Sequence, residues 1–312
     1  MENINYMVQV CCVTYNQASY ITDAMNGFCT QETTFPYVCT IMDDCSSDGE
    51  QEVIKNYLKA HFDLEDSSVV RNEETDDYYL IFAQHKTNRN CYFAVLYLKY
   101  NHYSIKKPKK PYLMEWDVAK YVAICEGDDY WIDPMKLKRQ VEFMETHPKH
   151  SLCFCAHQRL LPTGELTIER RYENDMEQCS MEDVILGGGG YMVTNSMLYR
   201  QSLFVPHSTW APGCPIGDLP TMLSLAAKGK VGYLHDIMCV YRVSASGSWS
   251  VKMGSSMKKR RQHHRAIIKM WHQFDSWTDR AYHKTVMKKI RLNKKSHLKD
   301  ELVTIKNKLL KK

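Results

Sequence analysis

Short apolar runs alternate with amphipathic segments along the first half of the chain. Residues 7–13 form a nearly continuous apolar run of strand length, and a polar turn at 14–17 follows it. Apolar residues then recur at helical spacing over 21–28, before a second strand-like run at 37–42 that ends in the polar segment 43–49. Continuous apolar runs are typical of strands buried on both faces, so this order predicts a parallel sheet covered by helices.

A third strand is predicted at residues 122–125, and it ends abruptly in an acidic turn. That turn, residues 126–131, contains Glu126, Asp128 and Asp129. Because the carboxyl ends of parallel strands lie at one edge of a sheet, we expect the three polar turns to line one rim, where ligands of such folds bind.

The adjacent carboxylates of Asp128 and Asp129 repel each other and need solvation or a counter-charge. Mg²⁺ and Mn²⁺ prefer carboxylate oxygens, and Mg²⁺ usually takes only one or two of them while phosphates or waters complete its shell. The turn therefore indicates a metal that holds a phosphorylated ligand. The alternative for this turn alone is an Asp-rich β-turn that caps the following helix.

The rest of the chain is less regular. We predict a helix at residues 93–100 and a solvated loop in the Lys-rich segment 105–111. After residue 150, strands at 152–156, 231–234 and 237–241 occur without regular helices between them, so the sheet is expected to become mixed.

Two later features each have two interpretations. The four glycines at 187–190 suit close approach of an anion or ligand ring, or form a plain flexible loop. Asp218 stands in a Pro-stiffened turn before a helix predicted at 221–227, where it is either a helix N-cap or a general base whose pKa is raised by burial.

The C-terminal part is helical and basic. We therefore divide the chain into a domain at residues 1–250 and a basic helical extension at 251–312. The apolar stripe of the last helix suits packing on its own domain or self-association. Its Lys-rich flanks also suit contact with an anionic membrane.

Composition sets broad limits. The formal charge of +5 does not imply a nucleic-acid partner. Many of the twelve cysteines lie in apolar, strand-like runs, which is typical of reduced thiols. With no signal-peptide pattern at the N-terminus and no long apolar run, we expect a cytoplasmic protein, peripheral at most on the inner face of the cell membrane.

Three motifs together resemble those of family 2 glycosyltransferases of the GT-A fold. They are Val-x-Val-x-x-Val-Thr-Tyr-Asn at 8–16, Met-Asp-Asp-Cys-Ser-Ser-Asp-Gly at 42–49 and Glu-Gly-Asp-Asp-Tyr-Trp-Ile-Asp-Pro at 126–134. The resemblance extends over roughly residues 7–250. It implies an α/β fold with a Rossmann-like, mostly parallel sheet flanked by helices.

The resemblance also implies a donor site. Thr14, Tyr15 and Asn16 would line the nucleotide pocket. Asp43 or Asp44 would hydrogen-bond the base, with Asp44 favoured as the contact to uracil.

The remaining chemistry would come from the later motifs. Asp128 would lie on the ribose side, and Asp129 would hold a Mn²⁺ or Mg²⁺ ion that bridges the donor diphosphate. Asp218 matches the catalytic base, which takes the proton of an acceptor hydroxyl in a single, inverting displacement. Candidate acceptor or lid residues are Thr194, Asn195, Ser196, Trp210, Arg242 and Trp249.

The chain departs from the family pattern after Tyr241-Arg242. Many relatives have a His in this loop near the metal or diphosphate, whereas this chain has Ser244 and Ser246. No third metal ligand is therefore assigned.

These features imply an inverting, metal-dependent transferase that moves a sugar from a nucleoside-diphosphate donor, with UDP favoured, to a hydroxyl of a glycan or lipid-linked acceptor in surface polysaccharide synthesis. A nucleotidyltransferase of sugar phosphates is a second hypothesis, although the turn after the first strand contains neither the glycine nor the basic residue that this class needs. An inactive nucleotide-sugar-binding module is a third.

Overall fold

The computed structural model of the chain describes residues 4–65, 69–113, 115–245 and 256–309. In this part of the chain, twelve strands form one sheet. The strands are β1 (Val8–Thr14), β2 (Tyr37–Asp43), β3 (Phe62–Asp63), β4 (Arg71–Glu74), β5 (Tyr78–His85), β6 (Cys91–Leu98), β7 (Tyr121–Ile124), β8 (Tyr130–Trp131), β9 (His150–Leu160), β10 (Leu166–Glu169), β11 (Leu198–Arg200) and β12 (Lys230–Arg242).

The α-helices cover both faces of the sheet. They are α1 (Ile21–Cys29), α2 (Glu50–His61), α3 (His102–Ile105), α4 (Lys136–Thr146), α5 (Met181–Gly187), α6 (Asp218–Lys228), α7 (Met257–Trp277) and α8 (His283–Leu309). Short 3-10 helices form at Lys110–Leu113, Gly188–Gly190, Thr194–Ser196, Gln201–Leu203 and His207–Thr209.

The sheet has a parallel centre and mixed flanks. Its order is β3-β5-β6-β2-β1-β7-β11-β9-β12-β8, with β4 paired to β5 and β10 to β9. Strands β6, β2, β1 and β7 are parallel, whereas β11 is antiparallel to both β7 and β9. The predicted α/β fold is confirmed, as is the change to a mixed sheet in the second half.

Two sequence predictions about this sheet are wrong. The helix predicted at residues 93–100 is strand β6, and every one of its residues is buried. The two strands predicted at 231–234 and 237–241 are one strand, β12, whose register shifts between Leu234 and Ile237.

Alternate residues of the central strands pack into different layers. In β7, Tyr121 and Ala123 join a core cluster with residues of α1, α2 and α4. Val122 joins a second cluster with residues of α5, α6, α7 and α8 on the other face. The period-2 alternation of a strand thus gives two cores separated by the sheet.

The C-terminal helices share this second core. Trp271 and Phe274 of α7 are fully buried in it. From α8, the Lys289 Nζ donates a 2.7 Å hydrogen bond to the Leu186 carbonyl at the end of α5. Gly188 has φ +60°, and a Cβ there would lie 2.8 Å from that Nζ. Gly188 therefore makes room for the Lys289 side chain of α8. The described helices include none long and apolar enough to cross a membrane.

Candidate active site at the carboxyl edge of the sheet

The ends of β1, β2 and β7 bring the three predicted turns to one rim. Thr14 and Asp43 are register partners on the parallel strands β1 and β2, and the Asp44 amide donates to the Thr14 carbonyl at 3.0 Å. The Cys125 amide donates to the Cys11 carbonyl at 3.1 Å, which fixes the exit of β7 beside β1. The rim expected from the strand order is present.

The turn after β1 is bonded to the turn after β2. Asn16 has a left-handed φ of 55°, and its amide donates to the Ser46 Oγ at 2.8 Å. In return, the Ser47 amide donates to the Asn16 side-chain oxygen at 2.8 Å. Thr14 is buried and Tyr15 is half-buried, so these predicted nucleotide-pocket residues lie together at the rim.

Glu50 holds these two turns and was not found from the sequence. Its carboxylate is fully buried and accepts hydrogen bonds from the backbone amide of Gln17 at 2.9 Å and from the Ser46 hydroxyl at 2.8 Å. The Thr14 hydroxyl donates to its other oxygen. Glu50 is the first residue of α2. A glutamate there is unremarkable in sequence, because two of its partners lie more than 30 residues away.

The predicted base-binding carboxylates have internal partners. Asp43 accepts from the Gln51 amide nitrogen at 2.6 Å, and burial raises its pKa. Asp44 accepts from the amides of His102 at 2.7 Å and Tyr103 at 3.1 Å.

Lys109 of the Lys-rich loop also reaches Asp44, at 2.7 Å, whereas the loop was predicted to be a solvated excursion. The loop therefore joins the rim through this lysine and through the amides of α3.

The acidic turn after β7 differs in exposure along its length. Glu126 and Asp128 are partly exposed, whereas Asp129 is buried with its Oδ1 accepting the Arg242 amide at 2.8 Å. A Cβ at Gly127 would collide with the Thr14 hydroxyl, so only glycine lets this turn approach the end of β1.

Negative charge is concentrated here. Burial, and then the charges of Asp128 and Asp218, raise the pKa of Glu126 to about 7, although a hydrogen bond with Thr194 opposes the shift. Burial, and then the charges of Asp128 and Glu126, raise the pKa of Asp129 well above its usual value. The carboxylates are therefore held in an environment that favours a nearby cation.

Arg242 is the cationic side chain that contacts this turn. Its guanidinium donates to the Asp128 carbonyl at 2.7 Å and pairs with Asp23 at 2.5 Å. It also lies 4.8 Å from the ring centroids of Tyr20 and Tyr130. The predicted lid residue thus clamps the acidic turn from the end of β12.

Asp218 is a further carboxylate whose charge acts on the acidic turn. It is the first residue of α6, whose N-cap is Gly217, so the N-cap interpretation is wrong. It is also exposed, so the burial expected for a general base at this position is not found. Its charge raises the pKa of Glu126 and also acts on the imidazole of His263 in α7. His263 is half-buried, one helical turn before the core residue Ile267. No pattern in the sequence indicates that α7 approaches Asp218.

The other predicted acceptor and lid residues separate into two groups. Thr194 lies close enough to Glu126 to oppose the rise that burial causes in the pKa of that carboxylate, so it belongs to the rim. Asn195 and Ser196 are fully buried, and their side chains donate to the carbonyls of Val240 at 2.8 Å and Val193 at 2.7 Å.

Trp210 is buried as well, stacked on Trp277 at 5.3 Å between ring centroids. Asn195, Ser196 and Trp210 therefore belong to the core, which corrects their predicted position at the cleft surface. Trp249 and Ser246 lie outside the described residues.

No three His, Cys, Asp or Glu side chains in the described ranges form a metal site by themselves. The cluster fits a metal only as a partial ligand set, in which one or two carboxylates act with phosphate oxygens. Mg²⁺ commonly binds in this way.

Known proteins resemble this chain in sequence and in fold. A sequence model described as "Glycosyl transferase family 2" matches residues 9–79, which include β1, β2 and both nucleotide-side turns. An uncharacterized protein of Mycobacterium bovis is 28% identical over 239 residues, covering 76% of this chain. The chain spans 59% of the length of that relative.

One further sequence and one solved structure also resemble this chain. The putative teichuronic acid biosynthesis glycosyltransferase TuaG of Bacillus subtilis is 23% identical over 93% of this chain and 99% of its own length. The crystal structure of S. aureus TarS 1-349 in complex with UDP-GlcNAc superposes with a TM-score of 0.55 at 14% identity, covering 85% of this chain and 66% of that one. The resemblance to family 2 glycosyltransferases is thus confirmed, with the family's sequence model matching residues 9–79 and the fold being that of the GT-A glycosyltransferases.

Proposed function

We propose that this protein is an inverting glycosyltransferase that moves a sugar from a nucleoside-diphosphate donor, with UDP favoured, to a hydroxyl of a glycan or lipid-linked acceptor. The observation that carries the proposal is the rim itself. There, two nucleotide-side turns and an acidic turn meet, and the charge of the exposed Asp218 acts on Glu126 of the acidic turn. The similarity to TuaG, which is described as a putative teichuronic acid biosynthesis glycosyltransferase, supports a role in surface polysaccharide synthesis.

The donor would lie across the ends of β1, β2 and β7. Thr14, Tyr15 and Asn16 would contact the nucleoside, with Asp43 or Asp44 at the base. Because three donors already bond to Asp44, a base that uses it must share the carboxylate with the α3 segment and Lys109. Asp128, the more exposed acid, would contact the ribose.

Asp129 would hold Mn²⁺ or Mg²⁺ through the carboxylate oxygen that Arg242 does not occupy, together with the donor diphosphate. The ion would offset the negative charge that develops on the leaving nucleoside diphosphate.

Asp218 would act as the base. Its carboxylate accepts the proton of the acceptor hydroxyl while that oxygen attacks the anomeric carbon. The bond from that carbon to the diphosphate oxygen breaks on the opposite side, so the configuration inverts. Exposure at the start of α6 supports this role, because a substrate hydroxyl can reach the carboxylate directly.

The C-terminal helices are rich in basic residues. Between residues 256 and 309 there are sixteen Lys and Arg but only four Asp and Glu. This surplus supports a peripheral contact with the anionic inner face of the cell membrane, close to lipid-linked acceptors and cytoplasmic donors. We retain residues 251–312 as an extension to the catalytic domain 1–250.

A panel of nucleoside diphosphate sugars tests the proposal. We expect UDP-sugars with Mn²⁺ to raise the melting temperature, because a ligand that binds only the folded state stabilises it, and to be cleaved slowly to UDP in the absence of an acceptor. Stabilisation without cleavage would favour the inactive binding module. Pyrophosphate release from a nucleoside triphosphate and a sugar phosphate would favour the nucleotidyltransferase.

A further inference from the structure

We propose that Glu50 and Gln17 form a positioning network that fixes the carboxylate of Asp128 relative to the nucleotide-side turns, an inference that rests on the proposed donor site. Neither residue was singled out by the sequence motifs. The network joins the ends of the three parallel strands through side chains, in addition to the backbone bonds of the sheet.

Glu50 is the centre of the network. Its Oε2 accepts hydrogen bonds from the backbone amide of Gln17 at 2.9 Å and from the Ser46 hydroxyl at 2.8 Å. Its Oε1 accepts from the Thr14 hydroxyl. Since Glu50 is fully buried, water cannot replace these bonds. One side chain at the start of α2 therefore determines the shape of the turns after β1 and β2.

Gln17 carries the connection to the acidic turn. Its side-chain oxygen lies 2.8 Å from the Thr14 Oγ1, and its side chain lies close enough to Asp128 to oppose the rise that burial causes in the pKa of that carboxylate. A Cβ at Gly127 would collide with both Thr14 and Gln17, so the two turns are in direct contact. Moving Gln17 must therefore move Asp128 or leave it without this partner.

The chemistry of the network indicates which substitutions it tolerates. The Thr14 hydroxyl has one hydrogen but two neighbouring acceptors, Gln17 and Glu50. A glutamine at position 50 could donate its amide hydrogen to Thr14 and still accept from Gln17 and Ser46 with its oxygen. Geometry rather than charge is thus the property that position 50 supplies.

Isothermal calorimetry with UDP and Mn²⁺ tests the network. We expect Glu50→Ala and Gln17→Ala each to weaken binding about tenfold, which is typical when a partner that orients a ligand-binding group is removed. Glu50→Gln should restore binding to within about threefold of wild type. Glu52→Ala is the matched control, because Glu52 is on the same helix and its partner is the exposed Lys55.

A double variant separates positioning from general destabilisation. If Glu50 acts through Gln17, the double Ala variant should lose little more affinity than the weaker-binding single variant. Independent losses that multiply would overturn the network. So would Gln17→Ala binding UDP as tightly as wild type, or Glu50→Gln binding as weakly as Glu50→Ala.

Hydrogen exchange tests the network without any ligand. Amides in segments 14–18 and 126–130 should exchange faster in Glu50→Ala than in wild type. In Glu52→Ala they should exchange at the wild-type rate. If wild type binds no nucleotide, the proposed function fails, and faster exchange would still support the network. If exchange in both segments matches wild type, the inference fails whatever binds.

Discussion

The backbone amide of Arg242 donates a 2.8 Å hydrogen bond to Oδ1 of Asp129. This bond ties the end of β12 to the acidic turn after β7, although the two residues are 113 positions apart in sequence. It leaves the second oxygen of Asp129 for a metal ion, and it places the Arg242 side chain over the neighbouring Asp128 carbonyl. We therefore expect replacement of Asp129 and replacement of Arg242 to have different effects.

Replacement of Asp129 should prevent binding of the proposed metal ion. We expect Asp129→Ala to lose UDP-dependent Mn²⁺ binding by calorimetry, because the carboxylate supplies the proposed metal bond. Asp23→Asn is the control, since Asp23 contacts Arg242 from an exposed position and is not a proposed ligand. Unchanged Mn²⁺ and UDP affinity in Asp129→Ala would exclude it as the metal ligand.

Replacement of Arg242 should loosen the turn. Arg242→Gln should lower the free energy of unfolding by about 2 kcal/mol, because it removes a charge-assisted hydrogen bond and contacts with two aromatic rings. Arg139→Gln loses ion pairs with Asp133 and Asp236 in which the Arg139 side chain is 41% exposed, so it should cost less than about 1 kcal/mol. Equal losses in urea denaturation would contradict the clamp assigned to Arg242.

Asp44 should stabilise the segment that folds over the end of β2. Asp44→Asn weakens the acceptor of two backbone amides and leaves Lys109 without its partner, so we expect a loss of about 1 to 3 kcal/mol. Hydrogen exchange in segment 101–109 should rise. The exposed Asp76→Asn should change neither quantity. Stability equal to wild type would show that the segment is held by other contacts.

The sequence was sufficient for the strands and turns that define the rim. Continuous apolar runs mark β1, β2 and β7, and parallel topology then places the turns that follow them at one edge. The same reasoning fails for β6. Between β2 and β5 this strand is buried on both faces, so it has no polar alternation, and its aromatic-rich run was mistaken for a helix.

The contacts within the site were less predictable. Glu50, Gln17 and Lys109 act through partners that only the folded sheet brings close, and no local spacing encodes such pairs. Asn195 and Ser196 gave the opposite error, because small polar residues in a loop suggest a binding surface, whereas here they satisfy buried carbonyls.

Stability should depend on pH through His157. Burial lowers the pKa of His157 to about 4, whereas an unfolded imidazole titrates near 6.5. Between these values the unfolded imidazole binds more protons than the folded one, so the contribution of His157 to the free energy of unfolding should fall by about 3 kcal/mol as pH decreases from about 6.5 to about 4.

Urea denaturation of wild type and His157→Gln across this pH range measures that contribution. The difference in the free energy of unfolding between wild type and His157→Gln should shrink by about 3 kcal/mol from about pH 6.5 to about pH 4, whereas the difference between wild type and the exposed His272→Gln should stay constant. A constant difference for His157→Gln as well would assign the dependence to other groups.

The base assigned to Asp218 is the central claim, and Asp218→Asn tests it. Glu182→Gln is the matched control, because it also removes an acid from the first turn of a helix. The measurement is sugar transfer from a UDP-sugar that the wild type cleaves, with donor affinity determined in parallel. We predict that Asp218→Asn binds the donor as wild type does while turnover falls by at least about a hundredfold, whereas Glu182→Gln keeps both. Turnover within a few-fold of wild type in Asp218→Asn would contradict the account.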